Sequence, residues 1–124
     1  MSVGSAGSPR LDEAERILRL IEPKADPHRN GAGRARQKVL IAGVDLGLGR
    51  TAKAITRLRD VLAQARRAGW KQAELEARLT FGRALRAAGH ETVGVNLLES
   101  LERESTSLGV LRIARHAREA RQGH

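Results

Sequence analysis

At 124 residues the chain has room for one domain with a modest core, and is too short for a core plus a separate catalytic domain. The absence of Cys excludes a disulfide framework, a thiolate metal site and a thiol nucleophile, so stability must come from packing. A formal charge of +9 raises nucleic acid or an acidic surface as partners, although 19 of the 23 basic residues are Arg, as a compositional bias of the source genome would produce.

Aromatic residues are limited to Trp70 and Phe81, and Ala and Leu supply most of the apolar content, a balance that suits helices and disfavours strands. Residues 1–9 carry neither a basic start nor an apolar run and read as a flexible tail without a secretory signal. No run of 18 uncharged apolar residues occurs, so no membrane span is expected and the cytoplasm is the expected location.

From there the chain reads as about six helices. Leu11, Ala14, Ile17, Leu18 and Ile21 form an amphipathic stripe over residues 10–22, ended by Pro23. Residues 24–33, with Pro27, Asn30 and two glycines, read as a loop. A helix over 34–46 follows, with Ala35, Val39, Ala42 and Leu46 on one side. Gly49, Gly69, Gly89 and Gly109 then stand twenty residues apart, each suited to the left-handed position just past a helix. Between them run three further helices. Ala54, Leu58, Val61, Leu62 and Ala65 line the first, Leu75, Leu79, Gly82 and Leu85 the second, and Gly94, Leu97, Leu98, Leu101 and Ser105 the third. Thr51 is the expected N-cap of the first, and Glu91 places negative charge at the start of the third. Trp70 and Val110 each follow a turn glycine, where an apolar side chain folds back onto the last helical turn. A last helix over 110–121 carries Ile113, Ala114 and Ala117.

The hairpin over residues 34–68 repeats over 72–107. Leu58 matches Leu98, Val61 matches Leu101 and Ala54 matches Gly94 at an offset of 40, while Leu46 with Leu85 and Gly43 with Gly82 suggest 39 in the first helix. Self-similarity of this period marks a stack of helical hairpins in which each unit buries its face on its neighbours. Two hairpins are few for such a stack, so the helices over 10–22 and 110–121 are expected to cap a single domain spanning residues 10–124, and a homodimer would add further burial.

Over Leu75 to Thr106, the residues Phe81-Gly82, Leu85, Gly89, Gly94, Leu98 and Leu101 resemble the tetratricopeptide repeat, in the forty-residue form found in bacterial signalling ATPases and transcriptional regulators. The chain departs from that pattern at Arg78, which stands at the usual Trp position, at Leu101, where a small residue is usual, and in lacking the closing Pro. The resemblance implies an all-α, right-handed stack of antiparallel helix pairs that acts as a protein-binding scaffold, a module or fragment of a larger signalling or regulatory protein. It further implies a partner groove lined by Gln37, Leu40, Ile41 and Val44 on one helix and by Glu76, Leu79, Thr80, Arg83 and Arg86 on the next. Arg83 and Arg86 would suit an acidic protein or peptide, since Arg pairs with carboxylates bidentately.

Catalysis finds no support. Residues 43–51 resemble a phosphate-binding loop, but Arg50 replaces the Lys, Gly43 is one residue out of register and no strand precedes it. His28, His90, His116 and His124 are scattered without metal-ligand spacing, and Ser100, Ser105 and Ser107 have no nearby base with an orienting partner. No enzyme and no cofactor are therefore expected. Nucleic acid is the rival partner, and Arg112, Arg115, Arg118 and Arg121, at a spacing of three, form its basic contact face. The charge instead alternates along the chain: residues 49–68 carry six basic and one acidic side chain, net +5, and residues 89–109 one basic and four acidic, net −3. Alternation favours helices stacking on one another over a surface of one sign.

Overall fold

Four of the five helices in the described part of the chain are followed by a left-handed glycine. Gly49, Gly69, Gly89 and Gly109 have φ of 82°, 77°, 92° and 78°, a left-handed conformation that only glycine adopts without steric cost. Each glycine lets the next residue reach back: the amides of Arg50, Trp70, His90 and Val110 donate to the carbonyls of Asp45, Ala65, Leu85 and Ser105 at 2.7, 2.9, 2.8 and 2.8 Å. The same four residues open the following helix, their carbonyls accepting from Ala54, Glu74, Gly94 and Ala114. One residue thus closes one helix and starts the next, which leaves room for only the tightest reversal. Thr51, the expected N-cap, is the first helical residue instead, and none of the four caps uses a side chain.

The computed structural model describes residues 31–122, and these form five α-helices: α1 Gly31–Gly47, α2 Thr51–Ala68, α3 Lys71–Ala87, α4 Glu91–Leu108 and α5 Leu111–Arg121. No strand occurs among the described residues, and none of their helices is long and apolar enough to cross a membrane. The tail over 1–9 and the helix expected over 10–22 lie outside the described residues, as do His28 and His124. Each helix packs on the one before and the one after it. In addition α1 touches α3 and α3 touches α5, while α2 and α4 do not meet. The helices therefore follow one another in order, with the odd ones forming a continuous row, and do not surround a common centre.

Two apolar clusters hold the row together, and α3 separates them. Its Ala73, Ala77 and Ala84 join Ala35, Val39, Ala42, Ala54, Leu58, Val61, Leu62 and Ala65 of α1 and α2, with Leu46, Ile55, Trp70 and Phe81 against them. Its Leu75 and Leu79 join Leu98, Leu101, Ile113, Ala117 and Ala120 of α4 and α5. Full burial of a leucine such as Leu58, Leu98 or Leu101 stabilises by about 1.5–3 kcal/mol each.

The repeat offset is 40 throughout, not 39 in the odd helices. The buried Ala35, Val39, Ala42 and Asp45 of α1 stand at the positions of the buried Leu75, Leu79, Gly82 and Leu85 of α3. Pairing Gly43 with Gly82 matched residue type but not face. Helix α1 also starts at Gly31, inside the stretch that reads as loop. The reason is tertiary: a Cβ at Gly31 would lie 2.5 Å from the Trp70 ring, so the indole closes over the first turn of α1 and helps hold glycines that favour a loop on their own.

Glycine decides the approach of α3 and α4. A Cβ on Gly94 would meet Arg86 Cγ at 2.6 Å, the Gly82 carbonyl oxygen at 3.0 Å and the Arg86 amide nitrogen at 3.1 Å. Two of these are backbone atoms and cannot step aside. Gly94→Ala is expected to lower the unfolding midpoint, because overpacking costs about 1–3 kcal/mol against about 1 kcal/mol gained in helix propensity. Gly43→Ala, which meets nothing within 4 Å, should raise it by up to about 1 kcal/mol; denaturant titration of both variants compares the two directly.

Candidate interaction surface

The odd helices α1 and α3 present matching outward stripes that reach α5 at one position. On α3 the stripe is Glu76, Thr80 and Arg83, spaced by four and three; forty residues earlier it is Arg36, Leu40 and Gly43 on α1, and forty later it reaches His116 on α5. Leu40 is 54% exposed, and added Cβ atoms at Gly43 and Gly47 would meet nothing within 4 Å, so beyond Arg36 the α1 part of the stripe is apolar and low.

Charge ties the middle of this face together. Glu76 accepts from Arg112 Nη2 of α5 at 2.8 Å and lies 3.6 Å from Arg36 Nη2 of α1, so one carboxylate joins all three odd helices. Thr80 Oγ1 donates to the Glu76 carbonyl at 3.4 Å. Arg83 is exposed and has no carboxylate partner among the described residues; it borders an open depression with Glu119, Ala120 and Gln122.

Two residues expected in the groove do other work. Leu79 is buried in the second cluster, because its position on α3 faces α4 and α5. Arg86 is spent internally: its Nε and Nη2 donate to Glu91 Oε2 at 3.0 and 2.7 Å, and its Nη1 donates to the Ala120 carbonyl at the end of α5. On α1, Gln37, Ile41 and Val44 are half-buried and lie on the edge of the helix turned away from α3 rather than on the outward stripe, as their counterparts Ala77, Phe81 and Ala84 show by packing toward α1 and α2. Of the expected groove residues, the face brings together Leu40, Glu76, Thr80 and Arg83. The sequence reading missed Arg36, whose spacing of four from Leu40 could have placed it there.

The four arginines of α5 do not form one basic face. A step of three in a helix of 3.6 residues per turn drifts steadily around the axis, so the set spreads over about half the circumference. Arg112 turns to Glu76 on α3, while Arg118 Nε and Arg121 Nε donate to Glu102 of α4 at 2.9 and 2.8 Å. Only Arg115 among them stays exposed without a carboxylate partner among the described residues.

Other charged groups are built into the stack. Arg78, buried on α3, donates through Nη1 to Glu104 Oε1 at 2.5 Å. Lys71 Nζ reaches the other oxygen of Glu104 at 2.8 Å, and these two cations, Lys71 first, pull the Glu104 carboxyl down to about 2. Glu102 is likewise held below its ordinary value by Arg121 and Arg118. Asp45 is buried at the end of α1, with Arg57 Nε at 3.5 Å and Arg50 Nη1 at 3.8 Å. Pairing is what makes these charges tolerable away from water.

Among the described residues no three His, Cys, Asp or Glu side chains gather to hold a metal ion. No protein-family model, curated protein or solved structure matches the chain.

The Glu104 pair has a pH signature. Its folded value lies below the ordinary 4.5, so its stabilisation is present in full above about 4.5 and is lost as pH falls towards 2. Denaturant midpoints measured across that window should fall less steeply for Glu104→Gln than for the parent, and the variant should be less stable at neutral pH.

Proposed function

We propose that this chain is a non-catalytic scaffold that binds another protein, its helices forming a right-handed stack of the tetratricopeptide type and its partner lying along the row of α1, α3 and α5. The observation that carries the reading is the order of packing: odd helices touch in sequence while α2 and α4 do not, which leaves one uninterrupted face across three helices. That face combines an exposed apolar side chain, Leu40, with Arg83, a cation without a carboxylate partner among the described residues, both C-terminal to the Arg36–Glu76–Arg112 line, where one carboxylate offsets one of two cations. An extended acidic peptide with one apolar anchor fits this chemistry, the anchor on Leu40 and a carboxylate on Arg83.

Nucleic-acid binding is the second reading, and one observation favours it: residues 31–68 carry nine basic and two acidic side chains. Against it, three of the four α5 arginines are paired within the chain.

Fluorescence-polarisation screening of an acidic peptide library distinguishes the two. Arg83→Glu and Leu40→Asp should each weaken the selected peptides by about tenfold or more, as loss of a buried or paired anchor does, while Arg115→Glu leaves them unchanged. Duplex binding that collapses with added salt and ignores Arg83→Glu would sink the scaffold reading.

A further inference from the structure

At the centre of the odd row two arginines share one oxygen. Arg112 Nη2 of α5 donates to Glu76 Oε2 of α3 at 2.8 Å, and Arg36 Nη2 of α1 lies 3.6 Å from that same oxygen. The second contact is too long for a hydrogen bond, so Arg36 is held by charge alone and none of its N–H groups is bonded among the described residues. Arg112 spends only one of its N–H donors, each guanidinium carrying about five. Exposure points the same way. Each arginine side chain is 50% exposed while Glu76 keeps 18%, so the carboxylate is mostly covered and both cations hold half their surface in water. No second carboxylate pairs with either arginine among the described residues, which leaves the centre with one positive charge unmatched.

We infer that Arg36 and Arg112 form a subsite for one carboxylate side chain of the partner, and that Glu76 sets its selectivity, admitting a singly charged carboxylate and rejecting a doubly charged phosphate ester. The inference rests on the odd row being the binding face and adds a second anchor to it. Arg83 lies seven residues along α3 from Glu76, about 10 Å of helix rise, so the two anchors are separate. A carboxylate laid across the guanidinium groups accepts from Arg36, which lacks a hydrogen bond, and from the unused donors of Arg112, whose planar fork matches its two oxygens. That gives two negative charges against two positive ones. A phosphate ester, with a charge of about −2 at neutral pH, gives three against two, with Glu76 held beside it. Like charges so close repel, and the covered Glu76 has Arg112 to keep it in place. Replacing Glu76 by its neutral amide removes the objection and leaves a pair of arginines of the kind that holds phosphate.

Side-chain NMR on the full chain tests it, with the Nε–H signals of Arg36 and Arg112 followed as acetate or phenyl phosphate is added at neutral pH and constant ionic strength. Acetate should shift both signals saturably, and phenyl phosphate should need about threefold or more the concentration. In Glu76→Gln the order should reverse, phenyl phosphate binding about tenfold more tightly than in the parent. Arg36→Gln, at a half-exposed position, should abolish the acetate shift at Arg112, and it decides the matter together with the parent's order of preference if Glu76→Gln does not fold. Exposed Arg115 is the reference for unspecific ion effects. Shifts at the pair no larger than at Arg115, a parent that prefers phenyl phosphate, or an unchanged preference in a folded Glu76→Gln would each overturn the proposal. Peptides that need Arg83 while acetate leaves the pair unmoved would overturn it and spare the scaffold reading. Acetate that fills the pair while no peptide binds would support the subsite and remove the scaffold.

Discussion

The structure depends on one backbone interaction made four times. A left-handed glycine ends a helix, the next amide bonds back to the carbonyl five residues before it, and that same residue starts the following helix. Because the turn is equally short each time, the angle between neighbouring helices has little freedom, and the positions five residues before each helix opener, Asp45, Ala65, Leu85 and Ser105, are all driven inside. Order of packing follows from this. Helices joined so tightly must lie against their neighbours in sequence, and the contacts between alternate odd helices complete the row.

Charge then does what the apolar content is too sparse to do alone. With two aromatic side chains and many alanines, the core clusters are thin, and acidic side chains of α3 and α4 draw basic side chains of the flanking helices against them. Glu76 joins α1, α3 and α5; Glu102 joins α4 to α5; Glu104 joins α4 to α3. Partly exposed pairs of this kind add little to stability one by one. Their value is positional, since each acidic residue has cations only on the helices that should lie beside it. The same pairing occupies most of the described arginines and, of the odd-helix arginines expected at a binding face, leaves Arg83 and Arg115 without a carboxylate partner among the described residues.

Much of the fold was readable from pattern. The four glycines, the stripes of α2, α3 and α4 and the forty-residue echo are local or periodic signals, and each survives as a helix, a turn or a buried position. The binding face was readable only in part. Leu40, Glu76, Thr80 and Arg83 lie on it, but Leu79 and Arg86 share the same helix and differ by small rotations, and whether such a residue meets solvent or a neighbour depends on where the next helix lies. The arginines of α5 show the same limit, for their spacing of three suggests a common face that the helical period does not keep.

By itself the sequence determined the secondary structure, the turn type and the periodicity, because these rest on propensity, on the freedom of glycine at positive φ and on apolar spacing within a few turns. Only the tertiary structure decided the offset of 40 in the odd helices, the helical start at Gly31 beneath Trp70, the burial of Arg78 and Leu79 and the pairing of nearly every arginine of α5. Those outcomes depend on which side chains meet across separate helices, and such meetings are set by crossing geometry that no local pattern encodes.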